Sequence, residues 1–236
     1  MRIISWNCQG EGNPERVRAF KRLLRTHKLD IAFIMETKKL KSKSSNLCNI
    51  SYLTNNLFVD CTTSGGGKAG GLGLLWNPDY VNIEIKDHDF NYIDFLVTDS
   101  KPNSIPWRVT GIYGYPKHNN KYQTCSLITD LASSNYNKNW LLFGDFNINL
   151  YNSEKLGGNP IDDNLVVCFK NTIDVCGLQD LGYQGNPFTW ANNHDPETHI
   201  QSRLIDLWLP MSGSNCSPIL KILTSLNINL ITVLYF

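Results

Sequence analysis

The stretch W-L-L-F-G-D-F-N, Trp140–Asn147, decides how the chain is read. Its first four residues form a short continuous apolar run, the mark of a strand buried on both faces. Gly144 ends the run, and Asp145 and Asn147 follow at alternate positions around Phe146. Residues two apart in an extended segment point the same way, so a carboxylate and an amide project together from a strand end. Ligands and catalytic groups tend to sit at such ends. A strand running into an Asx turn is the plainer reading of the same residues. Two more strand ends of this kind weigh against it.

One is at the start of the chain. Arg2–Trp6 reads as a strand and leaves through the polar exit Asn7-Cys8-Gln9-Gly10. A helix follows, capped by Asn13 with Pro14 at its first position. Val17, Phe20, Leu23 and Leu24 recur at helical spacing, with arginines and lysines on the other face. The second is Asp30–Met35, a buried strand ending on Glu36-Thr37. Strand, helix, strand is the pattern of an α/β layer structure. Lys38, Lys39, Lys41 and Lys43 then read as a solvated face, with a phosphate-contacting patch as the lesser alternative. The Gly-rich run Ser64–Gly73 is no P-loop: no glycine stands five before Gly67, and Lys68 is followed by Ala69.

From Leu72 strands succeed one another without helices: Leu72–Trp76, then Val81, Ile83 and Ile85 in alternation, then Tyr92–Thr98 and Trp107–Tyr113. That succession predicts antiparallel pairing, and the last strand places Tyr113 at a terminus. Helices are predicted over Tyr122–Ser134 and Asp162–Cys176, the second stopped by Gly177. A further strand pair begins at Phe188-Thr189-Trp190 and continues through Ile200–Leu209. With no repeat or low-complexity linker, the expectation is one α/β domain of two packed sheets with helices outside.

Composition is globular, with 42% hydrophobic and 18% charged residues, enough to build a sizeable core. A formal net charge of +1 argues neither for nor against a polyanionic partner. The seven cysteines form no C-x-x-C pair and are odd in number, so zinc and a disulfide framework are not expected and a reducing compartment is. No signal peptide is read at the N-terminus, and no stretch has the length of a membrane span. Asn7, Glu36, Asp145 and Asn147 are oxygen donors of the type that suits Mg²⁺ beside a phosphate, and a carboxylate there could activate water.

The motifs S-W-N-C-Q-G (Ser5–Gly10), M-E-T-K (Met35–Lys38), G-I-Y-G (Gly111–Gly114) and G-D-F-N (Gly144–Asn147) come in the order and at roughly the spacing of one family. The chain resembles the endonuclease/exonuclease/phosphatase superfamily, fold-mates of exonuclease III and pancreatic deoxyribonuclease. G-N-P (Gly12–Pro14), G-G-N-P (Gly157–Pro160), D-L-G-Y (Asp180–Tyr183) and F-T-W (Phe188–Trp190) make it look like the endonuclease domain of plant non-LTR, LINE-type retrotransposons. The resemblance covers residues 1–209. It implies a four-layer α/β sandwich, two mixed sheets face to face with helices on both outer faces. It also implies Mg²⁺-dependent (or Mn²⁺-dependent) hydrolysis that nicks DNA and leaves a 3′-hydroxyl to prime reverse transcription. Glu36 would be the principal metal ligand, supported by Asn7. Asp145 would orient the nucleophilic water, Asn147 bind the scissile phosphate, Tyr113 contact the phosphate or assist the leaving oxygen, and Thr189 lie near the DNA backbone. A monomer acting on DNA in the nucleus, normally fused to a reverse transcriptase that is absent here, completes that expectation. A phosphomonoesterase of the same superfamily is the alternative enzyme. A catalytically dead remnant that binds nucleic acid weakly is the non-enzymatic one.

Two departures qualify it. The family's R-L-D becomes Arg203-Leu204-Ile205-Asp206, one residue too many. A one-residue slip reverses the facing of a strand's side chains, so the place of Asp206 among the metal ligands is open. The family's terminal Ser-Asp-His is missing, and His27, His88, His118, His194 and His199 stand at none of the matching positions. Residues 210–236 form an aberrant tail with no acidic residue. Back-translated with permitted codons and read from the third base of the first codon, it can encode E-W-L-Q-L-F-P-N-T-K and later Q-S-D-H-C-P-I-L. The expectation is an out-of-frame tail, with impaired stability and activity, whose uncharged end Leu226–Phe236 could dock as a makeshift strand or aggregate. The gene's nucleotide sequence tests this: a Ser-Asp-His encoded in a shifted frame is the expected result, and its absence from both shifted frames excludes the idea.

Overall fold

The computed structural model describes residues 1–10, 14–39, 52–64, 67–134, 139–182, 184–192, 198–210, 223–224 and 232–235. The expected Asn13 cap, Lys41, Lys43, Tyr183, His194 and most of the tail lie outside them.

Strand β1 (Arg2–Asn7) and strand β2 (Ile31–Met35) pair in parallel. The crossover between them is helix α1 (Pro14–His27), as the strand-helix-strand pattern predicts. β3 (Asn55–Ser64), which the sequence reading did not mark, forms a long antiparallel hairpin with β4 (Gly67–Trp76), and β4 pairs with β2. β5 (Val81–Asp89), β6 (Tyr92–Asp99) and β7 (Trp107–Tyr113) follow as an antiparallel meander. Helix α2 (Tyr122–Ser133) then carries the chain to β8 (Trp140–Asp145), parallel to β7. After the two-residue β9 (Lys155–Leu156) comes helix α3 (Asp163–Val175). Its N-cap is Asp162, whose side chain accepts the N–H groups of Asn164 and Leu165.

β10 (Leu178–Asp180) pairs with β14 (Ile205–Pro210). β11 (Gln184–Gly185), β12 (Trp190–Ala191), β13 (Gln201–Ser202) and β15 (Leu223–Thr224) are short connecting pairs. β16 (Thr232–Tyr235), from the tail, runs antiparallel to β1, with Thr232 opposite Ser5 and Tyr235 opposite Arg2.

The main sheets have the orders β16-β1-β2-β4-β3 and β10-β14-β8-β7-β6-β5. Alternation along the strands sorts the core into three apolar layers. Ile3, Phe33, Leu74, Phe95, Val109, Phe143 and Leu207 fill the space between the sheets. Ile4, Trp6 and Ile34 on the outer face of the first sheet meet Phe20 and Leu24 of α1, with Trp6 stacked on Phe20 at 4.3 Å between ring centroids. Leu142 and Trp208 on the outer face of the second meet Ile128 of α2 and Phe169 of α3. Helix, sheet, sheet, helices is the expected four-layer sandwich.

Glycines set how close the layers and strands come. A Cβ at Gly111 would stand 2.7 Å from the ring of Phe33 in the facing sheet. Gly144 has φ +132°, and a Cβ there would lie 2.1 Å from the Ile112 carbonyl oxygen on the neighbouring strand. Because that neighbour is backbone, relief requires moving β7 against β8. Gly144→Ala should therefore destabilise the protein by about 2–5 kcal/mol from strain and overpacking together, read as a lowered urea midpoint at unchanged m-value.

Candidate active site

The C-terminal ends of β1, β7 and β8 and the residues just after β2 meet at one edge of the sandwich. On each strand the inward alternation continues from the core to the end: Ile3, Ser5 and Asn7; Val109, Gly111 and Tyr113; Leu141, Phe143 and Asp145. These side chains are therefore directed into the gap between the sheets where the apolar layer stops.

Asn7 joins the two sheets. Its amide nitrogen donates to Glu36 Oε1 at 2.8 Å and to Asp145 Oδ2 at 3.2 Å. Its Oδ1 accepts the Gln9 N–H at 3.2 Å. Asp145 Oδ1 accepts the Asn147 N–H at 3.0 Å, so each oxygen of that carboxylate has a donor. The Tyr113 hydroxyl lies within the field of both Glu36 and Asp145. Asn147 lies beside them, its side-chain nitrogen bonded to the Gly114 carbonyl at 2.9 Å. Of the residues singled out from sequence, Asn7, Glu36, Tyr113, Asp145 and Asn147 are brought together.

The backbone here is unusual. Gln9, Glu36, Lys38 and Asn147 all have φ between +48° and +57°, a region non-glycine residues seldom occupy and one that clusters at functional sites. Surrounding hydrogen bonds impose it. Gly10 N–H bonds the Glu36 carbonyl at 2.7 Å, while Thr37 and Lys38 bond the carbonyls of Gly71 and Gly70 on β4.

Burial governs the electrostatics. Asp145 is 3% exposed, and desolvation pushes its carboxyl up to about 7 against the hydrogen bonds from Asn7 and Asn147. Glu36 adds like-charge repulsion, and the cation Lys121 opposes it. Burial first, then the two carboxylates, holds the Tyr113 hydroxyl well above its ordinary value, so it stays protonated. Lys38 Nζ pairs with Glu36 Oε2 at 3.4 Å. Lys121 was not legible in the sequence. It flanks α2, and only the fold brings its charge within the field of Asp145 and Lys155.

Other residues named from the sequence have different surroundings. Asp206 does not join the cluster. It is opposite Gly144 in the ladder, while Ile205 is the residue opposite Asp145. Leu207 and Leu209 face the inter-sheet core, so Asp206 and Trp208 alternate to the other face. There Asp206 is 1% exposed and pairs with Arg203 at 2.9 Å, a contact lacking hydrogen-bond alignment. Arg203 also meets Asp180 at 3.2 Å and Glu154 at 3.5 Å. Desolvation, with Glu154 and Asp180 nearby, pushes Asp206 up to about 8 despite Arg203. The extra residue before Asp206 has turned it from the cleft into a buried ion cluster.

Thr189 is 2% exposed, and its hydroxyl is engaged by the Leu204 N–H at 2.8 Å and the Ser202 carbonyl at 3.3 Å. It fixes the approach to β14 and presents nothing to a substrate. Asn7, with its nitrogen facing the carboxylates and its oxygen accepting the Gln9 N–H, orients the two acids. Among the described residues no histidine joins the cluster; His118 pairs with Asp162 at 3.6 Å.

No group of three or more His, Cys, Asp or Glu gathers as a metal cage among the described residues. The donor set does fit Mg²⁺, which needs one or two carboxylates and keeps waters and substrate phosphate. Glu36, partly exposed and carrying an oxygen not bound to Asn7, is the residue that would hold it.

The sequence matches the Endonuclease/Exonuclease/phosphatase family over residues 4–214. No curated protein matches it. Among solved structures it is similar to the endonuclease domain of TRAS1, a telomere-specific non-LTR retrotransposon. The TM-score is 0.67 at 14% identity, covering 99% of this chain and 97% of that one. The 3′-5′ exonuclease NExo from Neisseria meningitidis gives 0.67 at 18% identity, covering 100% and 99%. D. rerio TDP2 complexed with a single-strand DNA product gives 0.61 at 13% identity, covering 100% and 97%. At these identities the likeness is one of fold.

A carboxyl raised by burial favours folding at low pH and loses that contribution as pH rises from about 4, its unfolded value, through about 7. In EDTA, Asp145→Asn should therefore gain on the parent as pH rises from about 4 to above 8, by on the order of a few kcal/mol. Urea unfolding at both pH values checks this; a parent that gains on the variant with rising pH contradicts it.

Proposed function

Because the chain belongs to the Endonuclease/Exonuclease/phosphatase family, we propose that it is a divalent-metal-dependent phosphodiesterase of the retrotransposon endonuclease type. It nicks DNA to leave a 3′-hydroxyl, with turnover lowered in this chain. The observation that carries the reading is the Asn7 amide shared between Glu36 and Asp145, with Tyr113 beside them.

Asp145 titrates near neutral pH and is held by two N–H donors, as suits a group that takes a proton from an attacking water. Asn147 and Tyr113 would meet the scissile phosphate. Tyr113, kept protonated, can donate to a phosphate oxygen or the leaving oxygen. Lys121 adds positive charge near Asp145. A divalent cation bound at Glu36 would supply Lewis-acid neutralisation of the phosphate. The TRAS1 endonuclease and the DNA-bound TDP2 support DNA as the substrate.

Lowered turnover follows from two features. The chain contains no Ser-Asp-His, and Asp206 faces away from the cleft. Loss of one member of a catalytic set that acts as a unit costs orders of magnitude in rate. β16 occupies the edge beside β1, with its first residue Thr232 at the same end as Asn7. That placement supports the reading of the tail as an out-of-frame remnant of the family's last strand.

Supercoiled plasmid incubated with the chain and Mg²⁺ tests this, with EDTA and Glu36→Gln as controls. Slow nicking that either control abolishes is expected. Replacing the tail by its shifted-frame translation should raise the rate by roughly 10²-fold or more. No nicking by folded protein with either tail overturns the enzymatic reading in favour of a dead remnant.

A further inference from the structure

We infer that the outer face of α1 is a second contact surface for the nucleic-acid backbone, outside the catalytic cleft. The choice of nucleic acid as the polyanion rests on the phosphodiesterase reading above.

Charge is concentrated on this helix. Arg16, Arg18, Lys21, Arg22 and Arg25 stand against Glu15 alone, a net +4 in a chain whose formal net charge is +1. Phe20 and Leu24 anchor the helix on the first sheet, and Arg18, Arg22 and Arg25 are exposed on the opposite side. Lys28, also exposed, extends the line. Among the described residues no carboxylate pairs with Arg18, Lys21, Arg22 or Arg25.

Helix stability does not account for this pattern. The macrodipole favours Arg25 in the last turn but opposes Arg16 in the first and gives nothing to the cations between. Like charges three or four apart destabilise a helix. Arg18–Lys21, Arg18–Arg22, Lys21–Arg25 and Arg22–Arg25 are all such pairs. A merely solvated face would interleave acids at those spacings. A polyanion would relieve every one of these repulsions at once.

Position supports the same partner. The helix starts beside the cleft, where Arg16 Nη1 bonds the Cys8 carbonyl at 3.3 Å, next to Asn7. It ends at the opposite pole, where Arg2 Nη1 bonds the His27 carbonyl at 2.8 Å. The basic line thus leads away from the catalytic edge over about 21 Å. Its cations rise by about 4.5–6 Å from one to the next, a linear array of one sign that a chain of phosphates can neutralise.

The test is binding of a fluorescent 30-base-pair duplex over a range of salt, without Mg²⁺, by the parent chain and Arg18→Gln/Arg22→Gln/Arg25→Gln. The variant should lose about 3 from the log–log salt slope and on the order of 10²-fold in affinity near 0.1 M salt. Its thermal midpoint should be unchanged or raised, because like-charge pairs are removed. The corresponding Arg→Lys triple variant should keep the slope. Unchanged slope and affinity in the glutamine variant overturn the inference. So does loss of binding only to vesicles of anionic phospholipid, which would make the face a membrane contact. Glu36→Gln, measured in parallel, keeps the two readings apart. Arg-dependent binding without nicking defeats the cleft reading alone, and nicking with Arg-independent binding defeats this one alone.

Discussion

The Asn7 side chain bonds both carboxylates of the cleft, and they come from different sheets. Glu36 follows β2 of the first sheet and Asp145 ends β8 of the second. One amide can reach both only if the sheets approach closely and end in register. The apolar layer of Phe33, Phe143 and Leu207 supplies the first condition, and Gly111 beneath the Phe33 ring permits it. Parallel pairing of β1 with β2 and of β7 with β8 supplies the second, because it brings their C-terminal ends to the same edge. The cleft is the place where a shared core stops and its flanking strands have polar ends.

That origin explains the site's electrostatics. A carboxylate at the margin of an apolar layer is poorly hydrated, so burial dominates Asp145, and the nearby Glu36 charge adds to it. Hydrogen bonds to both oxygens offset only part of the cost. The same physics produces a different result at Asp206. There the carboxyl is equally buried, but its neighbours are Arg203, Glu154 and Asp180 under the second sheet. Such a cluster holds loops together, and breaking it by removing the cation would strand buried charge. Two aspartates on adjacent strands, Asp145 and Asp206, thus serve opposite faces of one sheet.

Much of this was legible in the sequence because it depends on local pattern. The continuous apolar runs Trp140–Phe143 and Ile31–Met35 could only be doubly buried strands, and they are. Helical spacing and Pro14 placed the start of α1, and the predicted Asp162–Cys176 helix is within a residue of α3 at both ends. The facing of Asp206 was readable as a question because strand periodicity makes a one-residue insertion consequential. β3 was missed because Asn55–Ser64 mixes polar and apolar residues without clean alternation, and its partner is a Gly-rich strand. The contacts of Thr189 with the Ser202 carbonyl and the Leu204 N–H were not legible, because a hydroxyl at a motif position looks the same whether it meets a phosphate or a neighbouring carbonyl.

The sequence by itself determined which elements form, which faces they bury, and which strand ends carry carboxylates and amides, because these follow from spacing along a single segment. Only the tertiary structure decided which of those ends meet. It set the orientation of the Asn7 amide and the raised carboxyl of Asp145. It also brought in Lys121, and it put a tail strand beside β1. Each of these depends on distances between segments remote in the chain, and on burial that exists only once the two sheets have closed on each other.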